Sequence, residues 1–224
     1  MRKSLQLQAD MTQEFGTCVF DVTLDCEDGA PVGGEAEHAA LVTELALATQ
    51  AARADARIAV RVHPVDHPSF EADISHIAGR AGHVLTHIMV PKVESVADVN
   101  RVQAALAAAG AAHLPVHVLI ESPAAVHRAF DIAAHPRVQS ISFGLMDFVS
   151  AHAGAIPAEG MGIHGQFTHP LVLRAKLEIA SACHAHGKVP SHCVVTEFKN
   201  TEAMRMAAQK AARELGYTRM WSIH

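Results

Sequence analysis

Charged side chains recur along the sequence directly after short apolar runs. Five of them are Glu27, Asp28, Arg61, Glu121 and Asp147. Carboxylate oxygens are ligands that Mg²⁺ prefers, often one or two carboxylates together with water and substrate oxygens. An arginine guanidinium stays charged and binds a carboxylate through parallel hydrogen bonds. Such a set predicts chelation of a 2-oxo or 2-hydroxy acid, and stabilisation of an enolate while a C–C bond breaks or forms.

The acids divide into two groups. Glu121 and Asp147 follow consecutive apolar runs, so each supplies one hard oxygen donor, and we expect them to be the metal ligands. We expect the Arg61 guanidinium to face these two acids without pairing fully with Glu27 or Asp28. Any one acid at the end of a strand can instead be a helix cap or a loop residue.

The apolar runs alternate with alanine-rich stretches that have helical periodicity. The runs are CVFDVTLDCEDG, ARIAVRVHP, HVLTHIMVPK, LPVHVLIESP, VQSISFGLMD, a weaker KVPSHCVV, and YTRMWSIH. Several are almost continuously apolar, which is typical of parallel strands buried on both faces. Successive strand ends are about 26 to 44 residues apart, and a βα unit needs roughly 30.

Capping residues predict where several helices begin. Ser95 with Asp98 three residues later forms a capping-box pattern, and Ser122 precedes Pro123 as an N-cap precedes a first-turn proline. Asn200 or Thr201 is predicted to start another helix, and residues 168–187 are predicted to form one more.

Seven strands joined by helices at this period predict an α/β fold of the TIM (β/α)8 barrel type. An open doubly wound sheet is disfavoured, and the glycine-rich GxxxxGK[ST] loop of nucleotide-binding sheets is absent. The chain begins with a helical stretch and ends at SIH, whereas a full barrel takes about 250 residues. We therefore expect an incomplete barrel that lacks its first strand and last helix, with residues 1–224 forming a single domain of a longer chain. A natural seven-stranded barrel is the alternative.

Composition excludes several classes of protein. Half of the residues are hydrophobic, which excludes a disordered chain. The 18 basic residues are scattered and outnumbered by 23 acidic ones, so no nucleic-acid surface is expected. The N-terminal MRKSLQLQAD lacks the apolar region of a secretory signal, and the most apolar stretch is too interrupted to span a membrane. Four cysteines without a CxxC motif indicate a reduced, cytoplasmic protein.

Histidine is unusually frequent, with 17 residues. Three pairs are four residues apart: His63 and His67, His83 and His87, and His113 and His117. The first pair spans a proline, and in a strand two side chains at this spacing stand about 13 Å apart, too far to share a metal ion. We expect histidines scattered over the surface and loops rather than a histidine metal site.

At the strand ends the sequence resembles the HpcH/HpaI aldolase and citrate lyase family. LDCEDGAPVG is similar to the family's LDLEDAV, RVHP to VRVN, MVPKVES to PKVE, LIES to IET, SFGLMD to GFGxxD, and the terminal SIH to the start of IHPxQ. The motifs cover nearly the whole chain in the same order and spacing. The branch that the sequence most resembles is the citrate lyase beta-subunit-like proteins.

The resemblance implies a TIM barrel, a Mg²⁺ ion and reversible C–C cleavage of an acyl-CoA thioester of the citryl-CoA or malyl-CoA type. It matches Glu121 and Asp147 to the metal ligands, Arg61 to a catalytic, substrate-binding arginine, and Lys92 to a strand-end lysine that binds substrate or only supports the structure. It matches Glu27 and Asp28 to a catalytic acidic pair. It also implies a homo-oligomer, either a trimer or a hexamer.

The sequence departs from the family pattern in places. His63 stands where the motif has Asn, Ser122 replaces Thr, and residues 151–168 carry additional glycine and histidine. The general base is not assigned to any residue. Two alternatives stay open: a metal-dependent 2-oxo acid aldolase that uses no CoA, and a non-catalytic subunit or inactive fragment.

Overall fold

The computed structural model describes residues 1–197 and 199–223. His224, the last residue of the SIH motif, lies outside the described residues. The chain divides into two compact units, which are considered separately: Met1–Pro91 with Asn100–Val116, and Lys92–Val99 with His117–His224.

Helices and strands alternate along the whole chain. The strands are β1 (Val22–Asp25), β2 (Ile58–Arg61), β3 (His87–Val90), β4 (Val116–Ile120), β5 (Val138–Phe143), β6 (Val189–His192) and β7 (Arg219–Met220). The helices are α1 (Arg2–Phe15), α2 (Glu35–Ala52), α3 (Phe70–Asp73), α4 (Gly79–Ala81), α5 (Val96–Ala108), α6 (Pro123–His127), α7 (Ala129–Ala134), α8 (Leu145–Ser150), α9 (Gly165–Thr168), α10 (Pro170–Ala185) and α11 (Thr201–Glu214). A π-helical turn covers Ile74–Ala78 and a 3₁₀ turn covers Ala158–Met161.

In the first unit, β1, β2 and β3 lie side by side in chain order and run parallel. Leu24, Ile58, Val60 and Ile88 are fully buried, because these short runs are covered on both faces as the apolar sequence predicts. The register pairs the last residue of β1, Asp25, with the last residue of β2, Arg61. The two charged side chains therefore leave their strands next to each other.

In the second unit, β4 to β7 also follow chain order, and β6 runs parallel to both β5 and β7. Ile120 and Ile141 are fully buried in these strands. A further apolar cluster around Phe167 and Tyr217 packs α9, α10 and α11. The C-terminal ends of β4 to β7 therefore follow one another in the order in which the motifs occur in the sequence.

The predicted caps are confirmed. The Ser122 hydroxyl accepts a hydrogen bond from the Ala125 N–H at 3.0 Å, and the Asn200 side chain accepts one from the Ala203 N–H at 3.0 Å. Asp98 accepts a hydrogen bond from the Ser95 N–H at 2.9 Å, which is one of the two hydrogen bonds of a capping box. The helix predicted over 168–187 is shorter, because His169 is extended before Pro170 and separates α10 from α9.

Parallel strands that alternate with helices in chain order confirm the predicted α/β fold of the TIM-barrel type. A complete barrel of this type has eight strands, and the described residues contain seven, so the incomplete barrel is confirmed. That residues 1–224 form one domain of a longer chain stays a prediction. Within the described part of the chain, no helix is both long and apolar enough to cross a membrane.

The expectation that the histidines lie on the surface or in loops is wrong for three of them, because His87, His117 and His192 are buried within strands. His63 and His135 are also buried, but they lie in the loops that precede α3 and β5. Burial is tolerated because the rings have hydrogen-bond partners. His117 Nε2 lies 2.8 Å from Gln139 Oε1, and His63 Nδ1 lies 2.6 Å from Asp73 Oδ2.

Candidate functional site

The first candidate cluster forms around Arg61 at the end of β2. Its Nε donates to Asp25 Oδ1 at 2.8 Å and its Nη2 donates to Asp25 Oδ2 at 2.7 Å. These two parallel hydrogen bonds form a fork that fixes the plane of the guanidinium. The Arg61 side chain is only 13% exposed, so this fork is largely shielded from water.

Two further carboxylates complete the arginine cluster. Arg61 Nη1 lies 2.6 Å from Glu27 Oε2, and Nη2 lies 2.9 Å from Asp28 Oδ2. The expectation that Arg61 would not pair fully with these two residues is therefore wrong. The reason is a tight turn after β1, in which the Glu27 N–H donates to Asp25 Oδ1 at 3.1 Å. Gly29 allows the turn, because a Cβ there would lie 2.4 Å from the Asp25 carbonyl oxygen.

The charges in the arginine cluster are unequal, with three carboxylates around one guanidinium. Burial alone would lower the pKa of Arg61, but the hydrogen bond and charge of Asp25, followed by the charges of Glu27 and Asp28, raise that pKa above its ordinary value. Arg61 is therefore charged at any working pH. The Asp28 side chain is 79% exposed and that of Glu27 is 8% exposed, so water screens the contact of Asp28 with Arg61 more than that of Glu27.

Cys26 lies within the same turn and is buried. Burial, together with the nearby charges of Asp73 and Asp25, raises the pKa of the Cys26 thiol well above its ordinary value. The thiolate is the nucleophilic form of cysteine. Cys26 is therefore an apolar packing residue and not a nucleophile.

The second candidate cluster begins at Glu121, which directly follows β4 and is buried. Its Oε2 accepts a hydrogen bond from the backbone N–H of Lys92 at 3.0 Å. Gly144 packs against the same side chain, since a Cβ at residue 144 would lie 2.4 Å from both Cγ and Oε1 of Glu121. The glycine of SFGLMD thus makes room for the carboxylate of the preceding strand.

Lys92 connects the two predicted metal ligands. Its Nζ lies 3.6 Å from Asp147 Oδ2, and Asp147 sits in the first turn of α8. Lys92 also has a backbone φ of 52°, the left-handed region that residues other than glycine rarely adopt. Strained backbone of this kind clusters at functional sites. Within the second unit, Lys92 therefore contacts Glu121 through its backbone and Asp147 through its side chain.

The donors of this second cluster fit a Mg²⁺ ion. Among the described residues, no group of three or more His, Cys, Asp or Glu side chains could hold a metal ion. Mg²⁺ does not need such a cage, since it keeps several waters and commonly binds one or two carboxylates plus substrate oxygens. Glu121 and Asp147 would supply two carboxylates to such an ion, and both are in contact with Lys92.

Asp25 is a functional candidate that sequence reasoning missed. It contributes the two-point fork to Arg61, whereas Glu27 and Asp28 each make one contact. The signal in the sequence was its place as the last residue of an apolar run, the same place that Arg61 holds in the next run. Only the strand register aligns these two ends.

The sequence matches the family model of the HpcH/HpaI aldolase/citrate lyase family over residues 5–224. This chain belongs to that family. The expected class of enzyme, a carbon–carbon lyase, is confirmed by this membership and by relatives that are lyases. All the motifs that carry the candidate residues lie inside the matched region.

Related proteins agree with this membership. The chain is 30% identical over 221 residues to an L-malyl-CoA/beta-methylmalyl-CoA lyase of Cereibacter sphaeroides, covering 91% of this chain and 67% of the relative. A crystal structure of a citrate lyase from Burkholderia xenovorans is 48% identical, with a TM-score of 0.88 over 99% of this chain and 68% of that one. The citrate lyase beta subunit of Mycobacterium tuberculosis, complexed with oxaloacetate and magnesium, shares the fold at 22% identity, with a TM-score of 0.68 over 91% of this chain and 81% of that one.

Proposed function

We propose that this protein is a Mg²⁺-dependent lyase that cleaves or forms a CoA thioester of a hydroxy acid, of the malyl-CoA or citryl-CoA type. The observation that carries the proposal is the cluster of Lys92, Glu121 and Asp147, which combines two carboxylates with a strained backbone at three family motif positions. The malyl-CoA lyase relative supports the thioester class. The magnesium complex of the mycobacterial relative supports the choice of ion.

The cleavage reaction defines what the side chains must do. The C3 hydroxyl of the thioester loses its proton, and the oxygen's electrons form the carbonyl of the released oxo acid. The electrons of the C2–C3 bond pass to the thioester as an enolate, which takes up a proton at carbon and leaves as the shorter acyl-CoA. A site for this reaction must hold an anionic oxo acid and stabilise negative charge on oxygen.

Arg61 holds the carboxylate of the oxo acid in this proposal. Asp25 and Glu27 keep the guanidinium in place, and the exposed Asp28 yields its Nη2 contact to the substrate. Lys92 supplies a further positive charge for substrate binding. Glu121 and Asp147 hold Mg²⁺, which when bound polarises a carbonyl oxygen as a Lewis acid.

The test is product analysis with purified protein. Malyl-CoA with Mg²⁺ should give acetyl-CoA and glyoxylate in equal amounts, and citryl-CoA should give acetyl-CoA and oxaloacetate, with both reactions stopped by a chelator. Cleavage of a CoA-free 4-hydroxy-2-oxo acid but of neither thioester would identify the aldolase alternative. The absence of C–C cleavage from all of these substrates would identify a non-catalytic subunit and contradict the proposal.

The family resemblance further supports a cytoplasmic homo-oligomer. We propose a trimer or a hexamer, as the resemblance implies. Light scattering coupled to size-exclusion chromatography measures the mass in solution. A monomer of about 24 kDa would contradict this part of the proposal.

A further inference from the structure

Lys92 contacts both proposed metal ligands through two different groups. Its backbone N–H donates to Glu121 Oε2 at 3.0 Å, and its Nζ lies 3.6 Å from Asp147 Oδ2. The next residue anchors the segment, since the Val93 N–H donates to the Leu119 carbonyl at 3.3 Å. Residue 92 is therefore held beside the end of β4 by its own backbone and by its neighbour's.

The backbone of Lys92 is strained at the residue that donates to Glu121. Lys92 has a φ of 52°, and its N–H donates to the buried carboxylate of Glu121. A lysine in the left-handed region is strained and persists only where the surroundings over-determine it. The hydrogen bond from the Lys92 N–H holds the orientation of the Glu121 carboxylate.

The side chain of Lys92 makes a weaker, adjustable contact. Lys92 is 47% exposed and Asp147 is 52% exposed, so water and salt screen their attraction. An ammonium at this distance competes with any cation for the same carboxylate. Unit charges about 4 Å apart in a well-hydrated setting interact by roughly the free energy of a fivefold change in binding constant.

We propose that Lys92 is a positioning residue that tunes the affinity of Glu121 and Asp147 for a divalent cation. Its N–H orients Glu121, and its ammonium opposes the cation at Asp147 and so keeps the ion exchangeable. The inference rests on the proposed function, because it takes these two acids as the metal ligands. It adds a role for Lys92 that is separate from substrate binding.

Calorimetric titration of the 224-residue chain with MgCl₂, without substrate, tests the role of the ammonium. Lys92→Met should bind Mg²⁺ about fivefold more tightly than wild type at low ionic strength. The gain should shrink toward zero near 1 M monovalent salt, where the Debye length is about 3 Å. Lys92→Arg keeps the charge and should stay within about twofold of wild type.

Two further variants separate the effect of the Lys92 charge on Mg²⁺ binding from the effect of the Lys92 backbone conformation. Lys188→Met removes a lysine of the same unit whose Nζ donates to the His135 carbonyl, and it should leave Mg²⁺ binding unchanged. Lys92→Gly removes the charge but keeps the N–H and adopts a positive φ without strain. It should bind Mg²⁺ as tightly as Lys92→Met and melt at a higher temperature than Lys92→Met.

The outcomes distinguish this inference from the proposed function. If wild type binds Mg²⁺ and Lys92→Met binds it with the same affinity, the role of Lys92 is wrong and the metal site stands. A gain in affinity that persists at 1 M salt would also overturn the electrostatic account. If neither wild type nor any Lys92 variant binds Mg²⁺, the assignment of Glu121 and Asp147 fails, and this inference fails with it.

Discussion

Arg61 is a largely enclosed basic residue and Lys176 is a fully buried one, and their surroundings are opposite in charge. Arg61 is surrounded by three carboxylates, from Asp25, Glu27 and Asp28. Lys176 is fully buried in α10, where its Nζ donates to Gln166 Oε1 at 3.1 Å and lies 2.8 Å from His192 Nε2. Among the residues that the structure describes, no carboxylate pairs with Lys176.

The two surroundings have opposite effects on charge. Acidic partners raise the pKa of Arg61 despite its burial, so its charge is retained. Burial lowers the pKa of Lys176, with Cys193 opposing the shift, and burial followed by the Lys176 charge lowers the pKa of His192 to about 3. The Phe167 ring stacks on His192 with centroids 5.5 Å apart and closes this cluster to water.

The comparison shows that the C-terminal ends of β2 and β6 have different roles in this fold. Arg61 ends β2 and His192 ends β6, so both stand where a TIM barrel carries its chemistry. The end of β2 keeps a charged guanidinium among carboxylates, one of which, Asp28, is exposed. The end of β6 holds a closed polar network that contributes to folding instead.

The largest expected effect follows from removing the Arg61 charge. Arg61→Met leaves three carboxylates without their cation and should lower the free energy of unfolding by about 3–5 kcal/mol. Chemical denaturation measures this loss. Arg101→Met is the matched control, because Arg101 pairs with Asp66 and the two side chains are 49% and 89% exposed, and it should cost about 0–1 kcal/mol. Equal losses for the two variants would remove the distinction between a compensated buried cation and a surface pair.

Arg61→Lys tests the role of the Arg61 guanidinium in catalysis. It keeps the charge but loses the two-point fork to Asp25, so the turnover of the proposed thioester cleavage should fall by about tenfold or more. Steady-state kinetics at saturating substrate measure the turnover number. Wild-type kinetics in this variant would contradict the role of the guanidinium.

Lys176→Met tests the uncharged cluster through pH dependence. The pKa of Lys176 is lowered on folding, so the unfolded chain binds more protons than the folded one below the unfolded pKa of about 10.4. Wild-type stability should therefore fall as the pH drops below about 10, by up to roughly 1.4 kcal/mol per pH unit relative to Lys176→Met, until the native pKa of Lys176 is reached.

Two controls belong to this pH experiment. Lys3→Met removes an exposed lysine of α1, and it should leave the pH profile of wild type unchanged. His192 is present in all of these variants. Because burial followed by the Lys176 charge lowers its native pKa to about 3, wild type should lose stability as the pH falls from about 6.5 toward 3, and Lys176→Met, which lacks that charge, should lose less. A Lys176→Met profile parallel to wild type between pH 7 and 10 would mean that Lys176 is protonated in the fold.

The smallest expected effect concerns Asp28. Asp28→Asn removes an exposed carboxylate from Arg61 and should change the free energy of unfolding by less than about 0.5 kcal/mol. It should also lower KM for an anionic substrate, because a competing carboxylate is lost. Asp25→Asn is the matched change at the fork and should cost about 1–3 kcal/mol of stability. A larger stability loss for Asp28→Asn than for Asp25→Asn would reverse the assignment of fixed and exchangeable partners.

Local sequence patterns predicted much of the fold. Continuous apolar runs located the strands, and the caps at Ser122 and Asn200 located two helix starts, because both signals depend on neighbouring residues alone. The pairing of Asp25 with Arg61 could not be read in this way, since it depends on the register between two strands. The burial of Lys176 could not be predicted from the sequence either, because it depends on how α10 packs against β6 and Tyr217.

The candidate site around Lys92 could likewise be predicted only in part from the sequence. The motif positions predicted Glu121 and Asp147 as partners, and the structure adds that Lys92 contacts both. The left-handed backbone at Lys92 had no signal in the sequence, because lysine gives no indication of a positive φ. Tertiary hydrogen bonds impose that conformation.

The most direct test of the central claim is the Mg²⁺ dependence of thioester cleavage by wild type and Glu121→Gln. Gln retains an oxygen that accepts the Lys92 N–H, so the variant should fold with a circular dichroism spectrum like that of wild type. The account predicts that Mg²⁺ stimulates cleavage by wild type and that Glu121→Gln loses this stimulation, with turnover lower by about 100-fold or more. A folded Glu121→Gln protein that Mg²⁺ stimulates as strongly as wild type would contradict it.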